Sequence, residues 1–140
     1  MKNIYFFCED IQYSLKQKTK IRNWISSVVE QNQKTILNIN YIFTSDAHLH
    51  KINKEYLNHN TFTDVITFDQ STEKNLVEAD IFLSIDRIKQ NAKTLNLSFR
   101  EELSRVMIHG VLHLLGFKDK TEIEKQEMRK KENHYLALLF

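Results

Sequence analysis

Apolar residues recur along the chain with two alternating periods. Asn3 to Cys8 is a short apolar run with the character of a strand. Ile21, Trp24, Ile25, Val28 and Val29 then fall at helical spacing and predict an amphipathic helix. From Ile36 to Thr44, Leu37, Ile39, Tyr41 and Phe43 alternate with Asn38, Asn40 and Ile42, the period of a half-buried strand. Ser45 is placed to cap a second helix carrying Ala47, Leu49, Ile52 and Tyr56. Two strands follow, Asp64 to Phe68 and Asp80 to Ile85, joined by the polar stretch Gln70 to Glu78. A third helix runs from about Asp86 to Leu95, with Ile88, Ala92 and Leu95 on one face.

The next segment breaks this amphipathic habit. Ser98 and Glu101 have the spacing of a capping box. Beyond Arg105 the chain reads Val-Met-Ile-His-Gly-Val-Leu-His-Leu-Leu, apolar on every side except at its histidines. An all-round apolar helix is a buried, central one. Gly116 is placed to end it as a left-handed residue. Thr121 and Glu124 box a last helix with Ile123, Met128, Tyr135 and Leu138. The order β-α-β-α-β-β-α-α-α predicts an α/β (α+β) fold: a mixed sheet of about four strands packed against about five helices, with the buried fourth helix at its centre.

Composition narrows the class. The chain has 140 residues, 41% of them apolar, which suits one domain spanning 1–140. Twenty basic residues face eighteen acidic ones, a net charge of +2, so no global basic field marks a nucleic-acid binder. The single cysteine, Cys8, allows no internal disulfide and sits in an apolar run as a buried thiol would. No apolar stretch approaches the roughly 18 residues of a membrane span, and no cleavable leader is visible, so a cytoplasmic location is expected. Glycine is scarce enough to be informative. Gly110 and Gly116, the only two, both lie beside the histidines of the fourth helix.

His109 and His113 are four residues apart and project from one helical face. Two imidazoles so placed can chelate one divalent metal, or can instead be a hydrogen-bonded structural pair. Gly116 reverses the chain less than one turn later, so Asp119 can return toward them; alone, it reads equally as a turn residue. A carboxylate as third ligand would leave a fourth position for water, whose pKa can fall to roughly 7 on zinc. Zinc peptidases place a glutamate after the first histidine as general base. Here that position is Gly110, which argues for a different hydrolysis. Glycine costs the helix about 1 kcal/mol relative to alanine, so a close-packed strand or an overlying substrate must need the missing side chain.

The segment His109-Gly110-Val111-Leu112-His113-Leu114-Leu115-Gly116-Phe117 resembles the signature of the YbeY family of endoribonucleases, His-Gly-x-Leu-His-Leu-x-Gly-Tyr-Asp-His. Ile52-Asn53-Lys54-Glu55-Tyr56 and Thr63-Asp64-Val65-Ile66-Thr67-Phe68 are similar to that family's Leu-Asn-x-x-Tyr-Arg and Thr-Asp-Val-Leu-Ser-Phe. Ala79-Asp80-Ile81 resembles its Gly-Asp-Ile. The resemblance implies a zinc-dependent, single-strand-specific endoribonuclease acting in ribosomal RNA maturation and ribosome quality control. Its expected partners are single-stranded RNA, ribosomal RNA and ribosomal proteins. The family's three histidine ligands map onto His109, His113 and Asp119, so one imidazole becomes a carboxylate, and the family aspartate before it becomes Lys118. The family arginine maps onto Leu57 and its proline onto Phe62. His59, Lys118 and Lys120 are candidates for the missing phosphate-binding cation, and Lys54 is a further one.

One metal per chain, zinc with its identity open, is therefore expected on His109, His113 and Asp119, with no catalytic group assigned beyond the metal-bound water. Two rivals share the motif: a metal-dependent amide or ester hydrolase, and a ribosome-associated factor without catalysis. His48, His50 and His134 are expected at the surface, and Lys125 to Asn133 as a solvated, mixed-charge helix face with pairs such as Glu127 and Lys131. Asp64 and Asp80 are expected as turn or cap groups at strand starts, and Thr63 and Thr67 as strand formers.

Overall fold

The structure, a computed structural model, describes residues 3–140. Along the chain come β1 (Ile4–Cys8), α1 (Lys18–Gln31), β2 (Thr35–Thr44), α2 (Asp46–Leu57), β3 (Val65–Asp69), β4 (Leu76–Ser84), α3 (Ile85–Leu95), α4 (Phe99–Leu114) and α5 (Glu122–Leu139). This is the predicted order, an α+β fold. The sheet runs β1-β2-β4-β3, with β1, β2 and β4 parallel and β3 antiparallel to β4.

Alternation along β4 assigns the two sheet faces. Val77, Ala79, Ile81 and Leu83 join the main core with residues of α1, α3, α4 and α5. Phe82 turns the other way and packs, with Phe68, on Leu49 and Ile52 of α2 and Ile66 of β3. The helix carrying the two histidines and α2 therefore lie on opposite faces of one sheet.

Several expectations need correction. The register of β2 shifts between Ile36 and Asn38, so Leu37 points outward while Ile36 packs on the core. Strand β4 starts at Leu76, inside the stretch read as a polar connection, which leaves Asp80 mid-strand. Cys8 is exposed, its Sγ donating to the Tyr13 carbonyl at 3.0 Å, because β1 is an edge strand. Tyr56 and Leu95 are exposed in the last turns of α2 and α3, two residues and one residue before the left-handed Asn58 and Asn96. In α5, Ile123 and Leu138 are also exposed; the packed face is Met128, Tyr135, Leu136 and Leu139. His134 is at the surface as expected, but His48 and His50 are half-buried, one paired with Glu9 and the other stacked on Phe62.

Capping fixes where the site helices begin and end. Thr121 and Glu124 form the full reciprocal box; at Ser98 only the serine half is made. At the end of α4 the Phe117 N–H donates to the Leu112 carbonyl and the Gly116 N–H to that of His113, both at 3.0 Å. This is a Schellman closure, and Gly116 sits at φ +103° to permit it. Phe117 then packs against the core, and the chain doubles back along α4. Gly116→Ala is expected to cost roughly 1–2 kcal/mol through backbone strain alone, since nothing among the described residues lies within 4 Å of the added Cβ. A thermal melt lowered by a few degrees is the check.

Candidate metal centre

Helix α4 presents His109 and His113 on one face, and the reversal at Gly116 brings Asp119 to them. His109 Nε2 lies 3.0 Å from His113 Nε2 and 3.2 Å from Asp119 Oδ2; His113 Nε2 to Asp119 Oδ2 is 3.3 Å. Three lone-pair-bearing atoms converge on one point. Without a cation between them, such an arrangement is repulsive unless protons are shared. A tetrahedral ion with bonds of 2.0–2.1 Å has ligand–ligand edges of about 3.3 Å. The triangle thus fits a small divalent metal in size and in donor chemistry. All three side chains remain partly exposed, so solvent reaches the site.

Gly110, between the histidines, lets the helix lie close on the sheet. A Cβ there would stand 3.0 Å from Thr67 Oγ1 and 3.2–3.3 Å from the Ile81 side chain. Of the two explanations for this glycine, the strand is the one found.

Behind the triangle lies a buried polar network. His109 Nδ1 is 2.7 Å from Glu132 Oε2, so an N–H on that nitrogen donates inward and leaves Nε2 facing the other ligating atoms. Glu132 Oε1 accepts from Arg105 Nη1 at 3.0 Å. Burial works against a charged His109, but the Glu132 hydrogen bond and the negative charges of Glu132, Asp119 and Asp64 outweigh it and hold the imidazole above its ordinary pKa. Burial likewise pushes against an ionised Glu132, and here the bonds from His109 and Arg105 win, lowering its pKa. Asp64, within reach of the Asn91 amide at 3.4 Å, is raised by burial. Glu132 on Nδ1 and Asp119 on Nε2 thus place a carboxylate at each ring nitrogen of His109, which favours a divalent cation there.

Glu132 was absent from the sequence expectations, where its run was read as solvated. The signal was present: Met128, Glu132, Tyr135 and Leu139 fall at i, i+4, i+7 and i+11, one apolar stripe with a single carboxylate in it. Among the charged residues of that run, Glu127 pairs with Lys130 rather than Lys131.

The model of the family described as Endoribonuclease YbeY matches residues 6–139. The chain belongs to the endoribonuclease YbeY family. It is 47% identical to the endoribonuclease YbeY of Cytophaga hutchinsonii over 98% of this chain and 96% of that protein. With that of Amoebophilus asiaticus it shares 49% over 96% and 91%. A Thermotoga maritima protein solved in solution superposes with a TM-score of 0.68 at 24% identity, covering 97% of this chain and 88% of that one, a likeness of fold.

Asp119 reaches both imidazoles. Lys118 and Lys120 flank it, exposed. Leu57 ends α2, the helix on the other sheet face, and is exposed; His59 follows in the loop, exposed too. Phe62 is stacked on His50 at 4.1 Å with Arg87 at 5.2 Å from its ring. That clamp holds the loop leading to Asp64. Asp80 is on the sheet face away from α4, where Asn40 donates to it at 3.0 Å. Among the described residues, no helix is long and apolar enough to cross a membrane.

Proposed function

We propose that this chain is a single-domain, metal-dependent endoribonuclease that cuts single-stranded RNA in ribosomal RNA maturation and ribosome quality control, in the cytoplasm. Zinc is the proposed metal, one ion per chain, held by His109, His113 and Asp119. The observation that carries the reading is the convergence of those three ligating atoms on one point, with His109 oriented from behind by Glu132. Endoribonuclease relatives that match nearly the whole chain support RNA as the substrate class.

A divalent metal there supplies Lewis-acid activation of water and offsets charge developing on a phosphodiester. The protein's own residues do the rest. Glu132 holds a proton on His109 Nδ1, which keeps Nε2 available as a ligand. Lys118 and Lys120 flank Asp119 on the turn and provide cations for RNA phosphates, with His59 a further phosphate-binding candidate. Replacing both lysines by serine is expected to raise KM for RNA several-fold and to flatten its salt dependence, with kcat and metal content kept.

Metal and proton compete for His109. Its raised pKa means that, below it, a proton must leave before the metal binds, so zinc affinity should fall about tenfold per pH unit there. A chelator competition at several pH values checks this; flat affinity would remove His109 from the ligand set.

Substrate class is tested by incubating metal-loaded protein with single-stranded RNA, duplex RNA, and amide and ester substrates in parallel. Preferential cutting of the single strand is expected. Turnover of the amide or ester with RNA intact would assign another hydrolase, and metal-loaded protein that binds ribosomal proteins yet turns over nothing would be a non-catalytic factor.

A further inference from the structure

Arg105 lies one helical turn before His109, on the same face of α4, and its guanidinium is largely buried: 17% of the side chain is exposed. It stands between two buried carboxylates. Nη1 donates to Glu132 Oε1 at 3.0 Å, while Glu102 Oε1 is 4.0 Å from Nε. Neither that Glu102 oxygen nor Arg105 Nε has a hydrogen-bond partner among the described residues. The Glu132 carboxylate is thus divided, one oxygen on the arginine and the other on His109 Nδ1 at 2.7 Å.

A buried ion cluster of this kind is a poor device for stability, since apolar residues of similar volume generally do as well or better. Its geometry suits orientation. A carboxylate touched only by the imidazole is free to rotate about its last torsion. With the second oxygen pinned, the acceptor for Nδ1 has one position, and so does the ring. Arg129 cannot substitute, because it is 3.7 Å from the same oxygen and mostly exposed.

We propose that Arg105 is a positioning residue of the metal centre, fixing Glu132 so that His109 keeps Nδ1 inward and directs Nε2 at the point shared with His113 and Asp119. The inference rests on the metal reading above.

The test compares wild type, Arg105→Met, Arg105→Lys and the double variant Glu102→Gln/Arg105→Met. Zn2+ affinity is read by competition with a chromophoric chelator, site geometry by the visible spectrum of the Co2+ form, and folding by thermal melts of metal-free protein. Arg105→Met is expected to bind Zn2+ about tenfold more weakly, the low end for loss of an outer partner, with a changed Co2+ spectrum. Arg105→Lys, which keeps a cation on Glu132, recovers most of both. The double variant also removes the charge of Glu102, left without its partner, and is read in place of Arg105→Met if that protein does not fold. Wild-type Zn2+ affinity and an unchanged Co2+ spectrum in the methionine variants would overturn the proposal, whatever the melts show. So would failure of both methionine variants to fold, which would make the arginine structural. Wild type that binds no Zn2+ would instead overturn the metal reading itself and this inference with it.

Discussion

His113→Ala is expected to strip the protein of its metal and of RNA cleavage together, while the fold survives. His113 supplies one corner of the triangle, at 3.0 Å from His109 Nε2 and 3.3 Å from Asp119 Oδ2. Two remaining ligands hold a divalent ion far less well than three. The loss should exceed the roughly 10–100-fold that follows removal of an outer-shell partner. The side chain is about a third exposed, so truncation opens no sealed cavity, and the melt of metal-free protein should move little. Metal content after dialysis and the melting curve, measured on one preparation, check both halves. Full metal content in His113→Ala would take this residue out of the ligand set. Asp119→His, which exchanges the carboxylate for a third imidazole, should keep the metal.

Gly110→Val is the substitution expected to damage the fold most for its size. Even the Cβ meets Thr67 Oγ1 at 3.0 Å and Ile81 at 3.2–3.3 Å, and valine adds two methyl groups into the same seam. The helix gains about 1 kcal/mol in propensity when its glycine is replaced by alanine, less for β-branched valine. Overpacking in a dense core costs about 1–3 kcal/mol or more, and here it presses on both β3 and β4, so packing wins. A melting temperature lower by about 5 °C is expected. Because the displaced helix carries both histidines, metal affinity should fall with it. Shortening Thr67 to alanine in the same chain should recover part of both losses. A Gly110→Val protein as stable as the wild type would mean that α4 is not seated on the sheet as described.

The features legible in the sequence were those that depend on local periodicity and short spacing. All nine elements and their order followed from period-2 and period-3.6 patterning with side-chain caps. His109, His113 and Asp119 were readable because helix geometry and one glycine reversal fix their relation within eleven residues. Features that depend on tertiary neighbours were missed. The outward turn of Leu37 follows from a register shift against β4, and the exposure of Cys8 from the edge position of β1. Arg105 and Glu132 are 27 residues apart and meet only because α5 packs on α4. Glu132 shares its stripe with Met128 and Tyr135, so a lone carboxylate on an apolar face was the available sign. Gly110 drew notice from its cost to the helix, but which neighbour required it was a matter of packing.

The most direct test of the account is cleavage of a labelled single-stranded RNA by purified protein before chelation, after chelation, and after zinc is restored. A metal-dependent nuclease makes internal cuts that vanish with the chelator and return with zinc. Cleavage unaffected by removal of all bound metal would contradict it.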